Sequence, residues 1–299
     1  MSRTLARRPS RADGRRWSHA AFVLPFLVAY LLLLVLPLLR GLWISLHEVD
    51  MLSDTSEFVG WKNYAELWSD EVFRGAVRNT FAFVLMSTPV FVVLGLALAL
   101  ALNRPGRMGA ALRAVFFGSS VLSVTIVTLV WRLVLMPDRG LLSNAMVSLG
   151  LSPIAPLTSE SLALPAVAVV TVWWIIGLPM MLFLAALQQI PQDIYEAAAL
   201  DSASRWRTFT RITLPSIRRT VVLVAVIEAI LQFQLFGQVQ LMTVGGPNNS
   251  TRPIVMFIYE SGFQAWALGY AAAASQVLFG FMLLAVTVQV WLARRKEDA

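Results

Sequence analysis

QQIPQDIYEAAALDSASRWRTFTRITLPSIRR, residues 188–219, is the stretch whose reading decides the fold. It is polar and amphipathic, it lies between two long apolar runs, and two short helices are legible in it. Pro191 suits a first helical position, Asp193 and Glu196 favour the positive end of a helix, and Tyr195 to Leu200 continue the helix. Ser202 and Ser204 then break the chain and can cap it again. Trp206, Phe209 and Ile212 recur every three residues on one face, Arg205, Arg207 and Arg211 occupy the remainder, and Pro215 ends the second helix. A chain that crosses a membrane rarely gives a loop this much folded-looking sequence without a partner to receive it. The competing reading is an ordinary solvated connector.

Outward from this stretch the chain is built of apolar runs. Of its 299 residues 58% are hydrophobic and 14% charged, a charged share about half that of soluble domains. Six runs are read as spans: 20–44, 79–102, 114–136, 162–187, 220–242 and 269–292. Each is close to or above the ~20 residues that cross a bilayer. The third is the weakest, because Arg132 falls inside it and its uncharged part reaches only from Ala114 to Trp131. One such run could be a buried helix of a soluble protein; six in series exclude that. The predicted fold class is therefore all-α, a polytopic membrane protein with about six transmembrane helices. Its divisions are a basic N-terminus (1–19), a first transmembrane helix (20–46), an outer amphipathic segment (47–78), a core transmembrane domain (79–292) containing the 188–219 loop, and a tail (293–299).

The net charge of +7 invites a nucleic-acid reading, but its distribution argues against one. Segments 1–19, 103–113, 188–219 and 293–299 hold six, three, five and three Lys or Arg, whereas 47–77, 137–161 and 243–268 hold two, one and one. That alternation is the positive-inside pattern and predicts both termini and the 188–219 loop on the cytoplasmic side. Arg7-Arg8 and Arg15-Arg16 mimic a twin-arginine signal, yet the apolar run behind them is long and lacks a small-residue cleavage site, so the first span is read as uncleaved. The chain has no cysteine, which excludes disulfides and thiolate metal sites.

No catalytic or metal-binding set suggests itself. The two lysines, Lys62 and Lys296, lie in no Gly-x-x-x-x-Gly-Lys loop, so there is no phosphate cradle. His19 and His47 both flank the first span. ATP binding, if there is any, must then come from another polypeptide, and no cofactor is expected on this chain. The polar residues that need an explanation are in the fifth run. Glu228 and Gln232 share one helical face and Gln234 and Gln238 another. Glu228 lies about eight residues, roughly 12 Å, from the inner end, close to the midplane. A carboxylate there costs at least ~2.5 kcal/mol unless it faces water or a partner. It is either the wall of a polar path or half of an interhelical hydrogen bond. In the fourth run Trp173 and Trp174 can stack on the apolar face of a passing solute or simply pack the bundle.

Glu196-Ala197-Ala198, three residues, Ser202, nine residues and Ile212-Thr213-Leu214-Pro215 together resemble the loop signature of the permease subunits of ATP-binding-cassette importers. Serine stands where that family has glycine. Phe58-Val59-Gly60-Trp61-Lys62-Asn63-Tyr64 in the outer segment, and Gly245-Gly246-Pro247 with Thr251 after the fifth span, are similar to the maltose/sugar and glycerol-phosphate branch. Asn249-Ser250-Thr251 fits a glycosylation sequon by chance. The resemblance implies a type I importer permease fold in a bacterial inner membrane. It also implies a coupling loop, comprising Glu196, Ala197, Ala198, Asp201, Ser202, Ala203, Trp206, Phe209, Ile212, Leu214 and Pro215, seated in a groove of an ATPase subunit. Glu228, Leu231, Gln232 and Leu235, with Thr171, Trp174 and Ile175, fall at positions that line the sugar path in that branch. The implied partners are a second homologous permease, two ATP-binding subunits that carry the ATP and Mg, an extracytoplasmic solute-binding protein and the lipid bilayer, with no nucleic acid. The substrate expected is a carbohydrate or related polyol. Glycerol 3-phosphate, a glycerophosphodiester, an amino sugar or a choline ester is the alternative within the class. An ion-coupled secondary transporter using Glu228, or a membrane-bound transferase, is the alternative outside it.

Overall fold

The computed structural model describes residues 23–50, 55–104 and 106–295, with side chains omitted at 50 and 292–295; the basic N-terminus lies outside this range. The molecule is mostly helical. The first helix, α1 (Val23–Ser45), is a single apolar rod. It buries only Ser45 and leaves side chains such as Leu33, 79% accessible, uncovered. In water so long an uncovered apolar rod would be untenable; in hydrocarbon it is the expected state.

The outer segment departs from the all-helical expectation. It opens as a two-stranded antiparallel hairpin, β1 (His47–Asp50) and β2 (Thr55–Phe58), in the register His47 to Phe58 and Asp50 to Thr55. A short helix follows, α2 (Lys62–Ser69). Asn63 is the peg that holds the segment. Its buried amide donates to the carbonyls of Ser45 (2.9 Å) and His47 (3.1 Å), and the Tyr64 hydroxyl pairs with Ser45 Oγ at 2.7 Å. Leu67 is buried in the core and Tyr64 is half-buried, while Trp61 and Trp68 stay exposed. At the surface the Glu48 carboxylate, 2.9 Å from Lys62 Nζ, raises the pKa of that ammonium.

The second span begins eight residues earlier than expected, as α3 (Glu71–Leu102), because Asp70 caps it and accepts from the backbone N–H of Val72 (2.7 Å) and Phe73 (3.2 Å). Its buried face runs through Phe73, Ala76, Thr80, Phe83, Ser87, Phe91, Gly95, Ala99 and Leu102, the three-and-four spacing of a helix with one side in the core. The third run is not a straight span. It forms α4 (Arg107–Ser119) and α5 (Val124–Val134), bent by 95°. A small helix α6 (Leu141–Ser148) follows. The fourth run divides into α7 (Ala163–Ile175) and α8 (Gly177–Leu187), bent by 48°.

These two breaks support each other. Ser119 and Ser120 donate to the carbonyl of Trp174 (2.9 and 3.3 Å), and the Trp174 indole N–H donates to the carbonyl of Leu122 at 3.0 Å. A Cβ at Gly177 would collide with the carbonyl of Phe116 and the Cα of Phe117, so glycine is what lets the two corners meet.

The loop 188–219 forms α9 (Gln192–Leu200) and α10 (Arg205–Thr208). The latter runs on through a wide π turn (Phe209–Thr213) and a last short turn (Leu214–Ser216). The fifth run is α11 (Arg218–Phe233) and α12 (Gly237–Met242), interrupted between them. Helix α13 (Ile254–Tyr259) and the long α14 (Leu268–Arg295) complete the chain. Thus three described helices are unbroken and apolar enough to cross a bilayer, two bent pairs could each do so, and the fifth run is a broken one. At the start of the last span Ala271, Ala273 and Ala274 are buried, and α14 packs along α1.

Three clusters fill the interior. An outer one joins Leu67, Phe73, Phe233, Phe257 and Ala274. A second joins Phe83, Val127, Val167, Leu235, Val239 and Met256. An inner one joins Leu96, Ala99, Phe183, Leu187, Ile217 and Val224.

The corner contact gives a direct test. Gly177→Ala should destabilise the detergent-purified protein by about 1–3 kcal/mol, whereas Gly118→Ala, where an added Cβ meets nothing within 4 Å, should change stability by less than about 1 kcal/mol. Thermal melting of the two variants side by side checks this.

Candidate functional site

The elbow of residues 188–219 is built by local chemistry. Pro191 sits one position before α9, at its cap, with ψ 138°; a ring that fixes φ and lacks an N–H is tolerated there as it would be at the first helical residue. Helix α9 closes in a Schellman arrangement. The N–H of Ala203 reaches the carbonyl of Ala198 at 3.0 Å and that of Ser202 reaches Ala199 at 3.1 Å. The residue that must turn left-handed in this motif is Ser202, and its φ is +53°. Serine therefore keeps the geometry that glycine adopts freely, at a cost of about 1 kcal/mol. Ser204 caps the next helix, accepting from the Arg207 N–H at 3.3 Å.

Pro215 does not end the second arm; helical structure continues to Ser216 and stops at Ile217. Because Pro215 has no N–H, the turn before it widens, and Leu214 bonds back to Phe209 in π fashion. The two arms are tied by the Tyr195 hydroxyl and Thr213 Oγ1, 3.1 Å apart.

The elbow has an inner and an outer side. Phe209 and Leu214 pack against the inner core cluster, Ala198 and Thr213 are buried, and Ile212 and Ala203 are half-buried. Trp206, expected to share a role with Phe209, touches its ring at 5.8 Å but is 73% exposed. Leu200 is 87% exposed, and Ile194, Ala197, Asp201 and Pro215 also face outward. Glu196 is exposed and accepts from Gln192 Nε2 at 3.0 Å. The result is an apolar cap around a carboxylate, carried on a rigid bent scaffold. A surface of this kind gains most of its free energy when another surface covers it.

The second set of residues, in the fourth and fifth runs, does not converge on one open cavity of this chain. Glu228 and Gln232 are 1% and 2% exposed, and Gln232 Nε2 donates to Glu228 Oε2 at 3.1 Å within the same helix. Leu235 is buried in the second cluster, and Leu231 faces outward. Thr171 is buried with its hydroxyl spent on the carbonyl of Val167 at 2.8 Å. Trp174 is committed to the corner described above, Ile175 is half-buried, and Trp173 is exposed with its ring edge-on to Trp131 at 5.4 Å. The pair Glu228–Gln232 lies just before the interruption at residues 234–236, where Phe236 has φ −150° and ψ −65°.

Sequence reasoning passed over other features. A cleft of about 390 Å³ is lined by Arg132, Met136, Thr158, Thr243, Gly246 and Pro247. Another of about 410 Å³ is lined by Glu48, Lys62, Asn63, Glu66 and Tyr270. Asn79 and Thr80, buried polar residues on the core face of α3, grip the turn after α12. The signal for these two was in the sequence: adjacent polar residues on a face otherwise filled by Phe73, Ala76 and Phe83 call for partners across the bundle.

Comparison with known proteins agrees with this architecture. The family described as "Binding-protein-dependent transport system inner membrane component" matches residues 68–298. The diacetylchitobiose uptake system permease protein NgcF of Streptomyces coelicolor is 33% identical, over 95% of this chain and 86% of its own length. The lactose transport system permease protein LacF of Rhizobium radiobacter is 30% identical, over 92% and 94%. Among solved structures, a chain of a bacterial alginate ABC transporter in complex with an alginate pentasaccharide-bound periplasmic protein superposes with a TM-score of 0.83. It is 24% identical, covers 95% of this chain and 96% of that one, and shows a shared fold.

Ser202→Gly should stabilise the protein by up to about 1 kcal/mol and Ser202→Val should destabilise it by about 1–2 kcal/mol, since a β-branched side chain tolerates positive φ least. Melting temperatures of the three proteins in one detergent decide it.

Proposed function

Since the chain belongs to the binding-protein-dependent transport system inner membrane components, we propose that it is a permease subunit that imports a carbohydrate or related polyol at the expense of ATP hydrolysed on a separate subunit. The carbohydrate class is supported by relatives named for diacetylchitobiose and lactose. The observation that carries the coupling half of the proposal is the elbow: an apolar, carboxylate-bearing cap whose own fold is closed by its Schellman turn and by the Tyr195–Thr213 contact. On this reading the elbow faces the cytoplasm, as the positive-inside pattern requires, and both termini lie on that side. Ile194, Leu200 and Trp206 enter a groove of the ATP-binding subunit, and Glu196 meets a basic group there. The full assembly comprises this chain, a second homologous permease, two ATP-binding subunits and an outer solute-binding protein.

Transport follows from two bodies moving relative to each other. Closure of the ATP-binding subunits pushes the elbow, and the elbow is rooted in the inner core through Phe209 and Leu214. Solute passes along the face of the fifth run that carries Leu231, with the Glu228–Gln232 pair behind it fixing the polarity of that wall. In this structure the pair is closed on itself, Gln232 Nε2 donating to Glu228 Oε2 at 3.1 Å, so on this reading it meets sugar hydroxyls only when the wall opens. A phosphate-bearing substrate would need a cation there, and this stretch of helix supplies an acid.

Two variants test the proposal. Glu196→Lys should weaken co-purification of the ATP-binding subunit by about tenfold while membrane insertion is unchanged; undiminished co-purification and transport would reject the docking role. Glu228→Ala should shift the KM or selectivity of uptake by about tenfold with the complex intact; unaltered kinetics would remove Glu228 from the path. Uptake that persists in vesicles without ATP but with a proton gradient would favour an ion-coupled carrier instead.

A further inference from the structure

The turn that follows α12 is strained and exposed, yet firmly held. Val244, Asn248 and Asn249 have φ of 51°, 45° and 58°, left-handed values that a β-branched residue such as Val244 adopts only under constraint. Val244 is held locally, its N–H bonding the carbonyl of Val239 at 2.9 Å; the far side of the turn is held from α3. Asn79, 5% exposed, donates through Nδ2 to the carbonyls of Asn249 (2.8 Å) and Arg252 (3.1 Å). Thr80 Oγ1, fully buried, accepts the N–H of Ile254 at 3.0 Å and donates to the carbonyl of Ala76 at 2.9 Å. Within the turn, Thr251 Oγ1 donates to the carbonyl of Gly246 and meets Thr243 Oγ1, both at 2.8 Å. Arg252 and Glu260 pair at 3.3 Å beside it.

The other end of α3 is bound to the root of the elbow. A Cβ on Gly95 would lie 3.0 Å from Pro179 Cβ and 3.3 Å from the backbone nitrogen of Met180, so α3 and α8 run almost backbone to backbone there. Leu96, Ala99 and Leu102 share the inner cluster with Phe183, Leu184 and Leu187, and only residues 188–191 separate α8 from the first arm of the elbow. Helix α3 runs unbroken across Pro89 for 32 residues, a length of about 48 Å at 1.5 Å per residue. The fifth run, which leaves the elbow more directly, is broken at residues 234–236. Its two halves are anchored in different clusters, Val224 in the inner one and Val239 in the second. A rod with that interruption transmits displacement poorly; α3 has no such interruption.

We propose that Asn79, seconded by Thr80, is a positioning residue for transport: it fixes the outer turn of residues 243–252 to α3, so that movement of the elbow reaches the outer face through this helix. The inference rests on the reading of the elbow as the site where the ATP-binding subunit acts.

The absence of native cysteine allows single fluorescent labels on Asn248→Cys, in the turn, and on Arg207→Cys, in the elbow. The complete complex in lipid vesicles is given Mg with a non-hydrolysable ATP analogue. Both labels should respond in the otherwise unaltered chain. With Asn79→Ala the outer response should fall at least about fivefold while the inner response stays within about twofold, and solute uptake should fall while ATP hydrolysis continues. Thr80→Val should reproduce the split, and Thr80→Ser, which keeps the hydroxyl, should not. A full outer response in Asn79→Ala and Thr80→Val would overturn the proposal. So would loss of both responses together, which would make the latch part of the general scaffold. An elbow label silent in the otherwise unaltered chain would remove the docking premise, and the inference with it.

Discussion

A peptide group in hydrocarbon has no water to bond, so every interruption of a helix in this molecule needs a protein partner for the groups it frees. That constraint explains where the chain spends its polar side chains. The corner between α4 and α5 is matched to the corner between α7 and α8 by two serines and an indole: Ser119 and Ser120 supply the carbonyl of Trp174, and the Trp174 indole supplies that of Leu122. The turn after α12 is supplied by Asn79 and Thr80. Even Thr171, buried in an apolar helix, returns its hydroxyl to its own backbone. The bundle is held as much by this sparse set of hydrogen bonds as by its three apolar clusters, since in lipid the burial of one more leucine gains little.

The periodicity of hydrophobic residues was enough to find six apolar runs and the elbow between the fourth and fifth. It did not show that two runs would bend and a third would break. A hydropathy window averages over some 19 residues and is blind to a corner. The third run carried its warning in Gly118-Ser119-Ser120 and Ser123, residues that cap and turn. The interruption at 234–236 has a weaker signal, a lone glycine at 237. The strand pair His47–Asp50 and Thr55–Phe58 escaped because both strands are short and mostly polar, the second is exposed, and neither has the apolar alternation that marks a half-buried sheet.

For the candidate site the elbow was the more legible part. Its spacing is local, and local chemistry (a left-handed residue after α9, a serine cap before α10) maps directly onto sequence positions. Ser202 is the instructive case, because the backbone holds φ +53° despite losing its glycine: the motif dictates the residue's conformation more strongly than the residue's own preference does. The residues of the fourth and fifth runs were less legible. Helical phase places Glu228 and Gln232 together, and the structure does so, but phase alone cannot tell an interior face from an open one. Glu228, Gln232, Leu235 and Thr171 lie inside the subunit and Leu231 outside it. The break at residues 234–236 begins six residues beyond Glu228 and two beyond Gln232.

The uncovered surface of α1 bears on how such a molecule is made. Because it precedes α14 in sequence, this rod leaves the ribosome before that helix, against which it lies, has been synthesised. In the aqueous cytosol it would have nothing to hide against and would clump with its neighbours. Biogenesis therefore has to hand the rod to the insertion machinery during translation, and the growing bundle is assembled against a helix already resting in lipid.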